Sequence, residues 1–180
     1  MADGPASGVT GSIQTHLFAK AGHTDPVPSA YADIVGAGKV VPVLGTDKTA
    51  ATLEKLTGYV KDCIDIGDLG DSANILRYTP FGQPTERTLP GVSGLAEWTF
   101  TVALNESDTV HKALRSAENG TKWEFALATI TDLADGDDEV TVDYIRGQIA
   151  SKPKSFSTGD ATSMTVTVAL NIAPIDAHAG

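Results

Sequence analysis

The sequence writes nearly the same strand twice, as TFTVALN at residues 99–105 and as TVTVALN at residues 165–171. Successive side chains of a β-strand point to opposite faces. Phe100, Val102 and Leu104 therefore share one face of the first copy, and Thr99, Thr101, Ala103 and Asn105 share the other. The second copy keeps this parity, with Val166, Val168 and Leu170 on its apolar side and Thr165 and Thr167 opposite. Threonine is β-branched and favours strand, while its hydroxyl stays hydrated, so each copy reads as a strand with one dry and one wet side. The text around the two copies differs, which makes them two strands of one sheet in matching environments rather than a duplicated domain.

Outward from the echo, the second half of the chain is regular. Ser107 or Asp108 caps a helix running to about residue 118, in which Val110, Ala113, Leu114 and Ala117 form one stripe and Gly120 supplies a left-handed stop. Residues 122–129 alternate, with Trp123, Phe125 and Leu127 opposite Glu124, Ala126 and Ala128. The acidic turn TDLADGDDE leads into a strand over 140–149, and SKPKSFSTGD turns back into a last strand over 161–172.

The first half is looser. Residues 1–12 are small, polar and Gly-rich and read as a flexible arm. A short strand is expected at 16–19, irregular structure across the Pro- and Gly-rich 22–45, and either a helical turn through Ala51, Leu53 and Leu56 or a polar loop at 46–58. The Asp-, Gly- and Pro-punctuated segment 61–89 reads as a long loop, a kind that usually works outside the core.

At 180 residues, 41% hydrophobic and 20% charged, the chain is expected to be one soluble domain spanning 1–180. Its formal net charge of -10 repels nucleic-acid and membrane phosphates and argues against a DNA-binding module. The opening stretch MADGPASGVTGSIQ has neither a basic head nor an apolar run, so no leader and no anchor is expected, and folding in a reducing cytoplasm is. The single cysteine, Cys63, excludes an intramolecular disulfide and reads as a buried inert thiol.

Chemistry is hard to find. His16, His23, His111 and His178 show no metal-ligand spacing, and His111 reads as a solvated surface residue. No GxSxG elbow and no phosphate-cradling glycine motif is present; Gly36 and Gly38 make only an isolated GxG. Asp135, Asp137, Asp138 and Glu139 lie between strands, so they form an acidic hairpin turn rather than a helix-flanked calcium loop. No catalytic, cofactor-binding or metal residue is assigned, and an enzyme is not expected.

The order of features resembles a known family. LPGVSGLAEWTFTVALNESDTVHKALRSAENG at 89–120, WEFALATI at 123–130 and YIRGQIASKPKSFSTGDATSMTVTVALN at 144–171 are similar to the major tail tube proteins of long-tailed, lambda-like bacteriophages (siphophages). The landmarks are Glu97, Thr99, Phe100, Asp108, His111, Leu114, Gly120, Phe125, Gly147, Ile149, Gly159, Asp160 and the Thr/Val run from Thr165 to Val168. The resemblance covers the second half of the chain; the first half matches only in layout.

The resemblance implies a mainly β fold, a β-sandwich or partial barrel with one flanking α-helix, a long inter-subunit loop at 61–89 and a flexible N-terminal arm at 1–12. It implies a structural virion protein of the viral tail that self-assembles into hexameric rings, joins its sheets around each ring and stacks the rings into a hollow tube. The implied partners are further copies of itself, a tape measure protein, a tail terminator, distal tail or baseplate proteins, and DNA in transit without specific binding or membrane contact. Thr99, Thr101, Thr165 and Thr167 would line the lumen, while Phe100, Val102, Leu104, Val110, Leu114, Val166, Val168 and Leu170 would pack the core. Assembly would occur in the host cytoplasm, and no cofactor is implied.

Two other readings stay open. One is the inner tube of a contractile injection or type VI secretion machine. The other is a β-sandwich module that binds carbohydrate or protein through the segment 61–89.

Overall fold

The computed structural model describes residues 13–23, 25–69, 75–78, 87–90, 97–131, 139–156 and 162–178. The arm expected at 1–12 and the turns at 132–138 and 157–161 lie outside them. The chain is mainly β. Its strands are β1 (Ile13–Ala21), β2 (Cys63–Asp65), β3 (Ile75–Tyr78), β4 (Arg87–Pro90), β5 (Glu97–Ala103), β6 (Lys122–Thr131), β7 (Glu139–Ser151), β8 (Lys154–Ser155), β9 (Ser163–Leu170) and β10 (Ile175–His178). Three helices are described, α1 (Tyr31–Ile34), α2 (Ala50–Leu53) and α3 (Thr109–Ser116).

Eight strands form one antiparallel sheet in the order β1-β6-β7-β9-β5-β2, with β10 paired to β7 and β8 to β9; β3 and β4 pair separately. The echoed strands are neighbours, Thr99 opposite Thr167 and Thr101 opposite Thr165. The sheet curls tightly. Trp98 and Phe100 on β5 meet Phe125 on β6 at ring-centroid distances of 5.4 and 5.5 Å, although β7 and β9 lie between those strands in the ladder.

The strand ladder does not close into a barrel, yet its two ends are tied together. Residues 58–65 run as a strap from one to the other: Ala19 N–H donates to Gly58 O at 2.8 Å and Val60 N–H to Leu17 O at 2.9 Å, after which Cys63 and Asp65 pair with Val102 and Thr101. Glycine is required at 58, where φ is +84° and a Cβ would stand 2.9 Å from Ala19 O.

Two cores result, on opposite faces of the sheet. Inside the curl, Trp98, Phe100, Val102, Leu114, Trp123, Phe125, Ile145, Ile149, Met164, Val166 and Val168 pack with residues of β1 and the strap. On the other face, Phe18, Ala126, Ala128, Val140, Val142 and Tyr144 are covered by Ile34, Val40, Val41 and Leu53 of the N-terminal segment. Strands β6 and β7 therefore exchange faces along their length. The stripe Trp123, Phe125, Leu127 ends in half-buried Thr129 and Thr131, while the opposite stripe begins with Glu124 and continues as Ala126, Ala128 and Ile130. The small alanines opposite the aromatic stripe of this strand are fully buried, because the segment 31–56 lies over them.

α3 starts where the sequence places a cap: Asp108 Oδ1 accepts from Val110 N–H at 2.8 Å and His111 N–H at 3.1 Å. His111 itself departs from the surface position expected of it. It is 1% exposed, its Nδ1 accepts from Asn105 N–H at 3.1 Å, and its Nε2 donates to Lys61 O at 2.8 Å. An imidazole with both nitrogens satisfied by backbone can be buried, and here it joins helix, strand end and strap. The segment 61–89 likewise contains more structure than a loop: β2 enters the main sheet, and β3 pairs with β4.

Candidate functional site: wet faces and open edges

The threonines singled out by the sequence lie together. Thr99, Thr101, Thr165 and Thr167 occupy two directly paired rows on the outer face of β5 and β9, and the Thr101 and Thr165 hydroxyls are 3.0 Å apart. Thr99 is exposed and the other three are half-buried. The outer edge of β5 is occupied by β2 and by the residues after it: a Cβ on Gly67 would stand 2.3 Å from Thr99 O. The eight residues read as core packing sit around the inner core. Phe100, Val102, Leu114, Val166, Val168 and Leu170 are buried, and Leu104 and Val110 pack against them half-buried.

A second wet surface was not nominated from sequence. Thr15, Thr129, Thr141 and His178 form one cross-strand row over β1, β6, β7 and β10. Hydroxyls of Thr15 and Thr129 are 3.3 Å apart, and Thr141 Oγ1 is 3.2 Å from His178 Nδ1. The adjoining positions on this face are Thr131 and Glu139 on one side, Asp143 and Asp176 on the other. The signal was the abrupt change from Trp, Phe, Leu to Thr at constant parity in β6, and from Ile145 to Asp143 and Thr141 in β7. It marks where both strands outrun the inner core.

This four-strand section is antiparallel throughout and has open margins. Among the described residues no strand lies beyond β10, and the strap covers β1 from Leu17 to Ala19 but not at Thr15. Beside that open part of β1 runs a groove of about 460 Å³, whose lining includes Gln14, His16, Glu54, Tyr59, Asp62 and Cys63. Burial holds the His16 imidazole below its usual pKa, with the Glu54 charge opposing in part. Cys63 is half-buried and burial pushes its thiol up to about 11, so it is a poor nucleophile.

Charge on the wet face of the section is one-sided. Glu139, Asp143 and Asp176 stand on it with His178, and no lysine or arginine of these four strands does. Asp143 and Asp176 are direct cross-strand partners. Burial raises the Asp143 carboxyl pKa, the Asp176 charge raises it further, and His178 pulls it back. Among the described residues no group of three or more His, Cys, Asp or Glu side chains is placed to hold a metal ion, and no helix is long and apolar enough to cross a membrane.

No protein-family model and no curated protein matches the chain. Among solved structures, the chain is similar to the sheath/tube terminator of an extracellular contractile injection system, PVC, in its extended state. The likeness covers 67% of this chain and 87% of that one, at 14% sequence identity and a TM-score of 0.46.

Proposed function

We propose that the chain is a structural, non-catalytic subunit of a phage-tail-like tube, in which copies join edge to edge into a ring around an aqueous bore and rings stack. One observation carries this reading: a four-strand antiparallel section, wet on one face, with an open margin at each end. An open strand edge is a template for another strand, and closure around a ring removes it. Because the section holds an even number of alternating strands, β10 runs antiparallel to β1. A second copy in the same orientation then brings its β1 antiparallel to β10, and the ladder continues without a change of sense. Such head-to-tail joining closes into a ring when the rotation allows.

In this arrangement the face of Thr15, Thr129, Thr141 and His178 lines the bore. Its hydroxyls hydrate the wall and its carboxylates repel phosphate, so DNA passes without being held. A second lining is supported by the direct pairing of Thr99 with Thr167 and Thr101 with Thr165, two adjacent threonine rows on the outer face of β5 and β9 with Thr99 exposed and the others half-buried. The tape measure, tail terminator and baseplate proteins remain the partners expected of a virion tail component.

Electron microscopy of the concentrated protein tests the reading. Rings or tubes are expected; a strict monomer at high concentration overturns it in favour of a binding module. A proline at Thr15, which removes the edge amide, should abolish rings while leaving a folded monomer.

A further inference from the structure

Strand β10 is short, four residues. Among the described residues it pairs only with β7, and on the covered face it offers Ala177, buried, and Ile175, half-buried. On the wet face Asp176 stands directly across from Asp143. Like charges in directly opposed positions destabilise strand pairing. The neighbouring groups do little to relieve it. Across from Asp143 on β6 is Leu127, and the next positions are Thr129 and Thr141; on β10 itself His178 Nε2 lies 3.6 Å from Asp176 Oδ2, with both side chains about 60% exposed. Glu139, one row further along β7, adds negative charge.

We infer that Asp143 and Asp176 act as a charge brake on β10, holding the terminal strand loosely in the free subunit at neutral pH and letting it dock firmly when either carboxylate is neutralised or countered. Because β10 forms one margin of the wet section, the brake regulates that joining edge; this consequence rests on the tube reading, whereas the brake does not. With β10 undocked, the margin that a neighbour's β1 would extend is not in place, and charge placed at an edge is a recurrent protection against unwanted pairing. The strand is completed when a neighbour's β1 adds its main-chain bonds, or in acid. The sign follows from Asp143, whose carboxyl is raised in the docked state. The docking stability it governs is full below the ordinary aspartate range and is lost as pH rises through the raised value.

The experiment is residue-resolved amide exchange on the full chain as dilute monomer, with protection factors for residues 175–178 compared with those in β6. Wild type at neutral pH should show β10 far less protected than β6. Asp176→Asn and Asp143→Asn should each raise β10 protection about twofold to fivefold, and Asp176→Lys should raise it more, because it sets a cation against Asp143. Exposed Asp176 can be replaced without risk to the fold. Equal protection of β10 and β6 in wild type, or no response to Asp176→Asn and Asp176→Lys, overturns the brake whatever the protein assembles into. If protection rises and assembly, followed by light scattering, quickens in the variants, the whole inference stands. If protection rises while wild type and variants form rings at one rate, regulation of the edge is overturned. Raised protection with no rings from any variant sustains the brake and sinks the tube reading instead.

Discussion

Glu124 is buried at 1% exposure near the start of β6, where Tyr144 donates its hydroxyl proton to Oε1 at 2.9 Å and Arg146 and Lys20 are the cross-strand partners. Arg146 reaches on to Asp25 at 3.0 Å, and His23 Nε2 donates to Gly147 O at 3.0 Å, so this cluster fastens the segment after β1 to the sheet. Glu124→Ala strips the buried Tyr144 hydroxyl of its acceptor and should cost roughly 1 to 3 kcal/mol in urea unfolding; Glu124→Gln should cost less. His111→Ala frees two backbone groups and opens a cavity beneath α3, with an expected loss of about 2 to 4 kcal/mol. Leu114, fully buried on the same helix, should lose about 2 to 5 kcal/mol on truncation to alanine. A thermal melt unchanged by Leu114→Ala would show that the helix stripe contributes nothing to the inner core.

At the scale of elements, the echoed strands, α3 with its Asp108 cap and the β6–β7 hairpin were legible because each follows one period and one cap or turn signal. Three things were not. The exchange of faces in β6 and β7 hides behind a regular alternation, since alanine is compatible with either side and only the covering segment 31–56 decides. The strap carries no periodicity, because its pairing with β1 and β5 is made by backbone. β10 is four residues long, IDAH, too short for alternation to register. The threonines of β5 and β9 were visible as a wet face, but the row on β1, β6, β7 and β10 needed the registers of three ladders. The turn just after the strap makes its own prediction. Gly67 has φ +64° and its Cβ would collide with Thr99 O, so Gly67→Ala should loosen β2 from β5 and raise amide exchange at Asp65 and Thr101 while β6 stays protected.

At the scale of the whole molecule, two lysine variants separate the candidate linings. Thr101→Lys with Thr167→Lys marks one face, and Thr129→Lys with Thr141→Lys the other; at these half-buried positions the lysine stem can lie along the sheet while its ammonium reaches water, so the fold is expected to hold. Whichever face lines a bore, its variant should assemble yet retard DNA, and the defect should ease with salt, which screens charge beyond about 8 to 10 Å at physiological ionic strength. Normal DNA passage through tubes carrying one pair would remove that face's assignment, and normal passage with each pair in turn would remove both. Acid acts on the monomer through His16: its imidazole pKa is depressed by burial, so its share of stability is present above about pH 6.5 and lost as pH falls through the depressed value. His16→Phe should flatten that part of the stability–pH curve. The ladders also order events in time. β6 and β7 follow one another and can pair as soon as both exist, whereas Thr15 must find Thr129 across 114 residues and β10 comes after every other described strand. Distant pairing is slow because chain entropy is lost before contacts repay it. Both outer strands of the wet section are therefore latecomers, and the margins they form are the last part of the sheet to be completed.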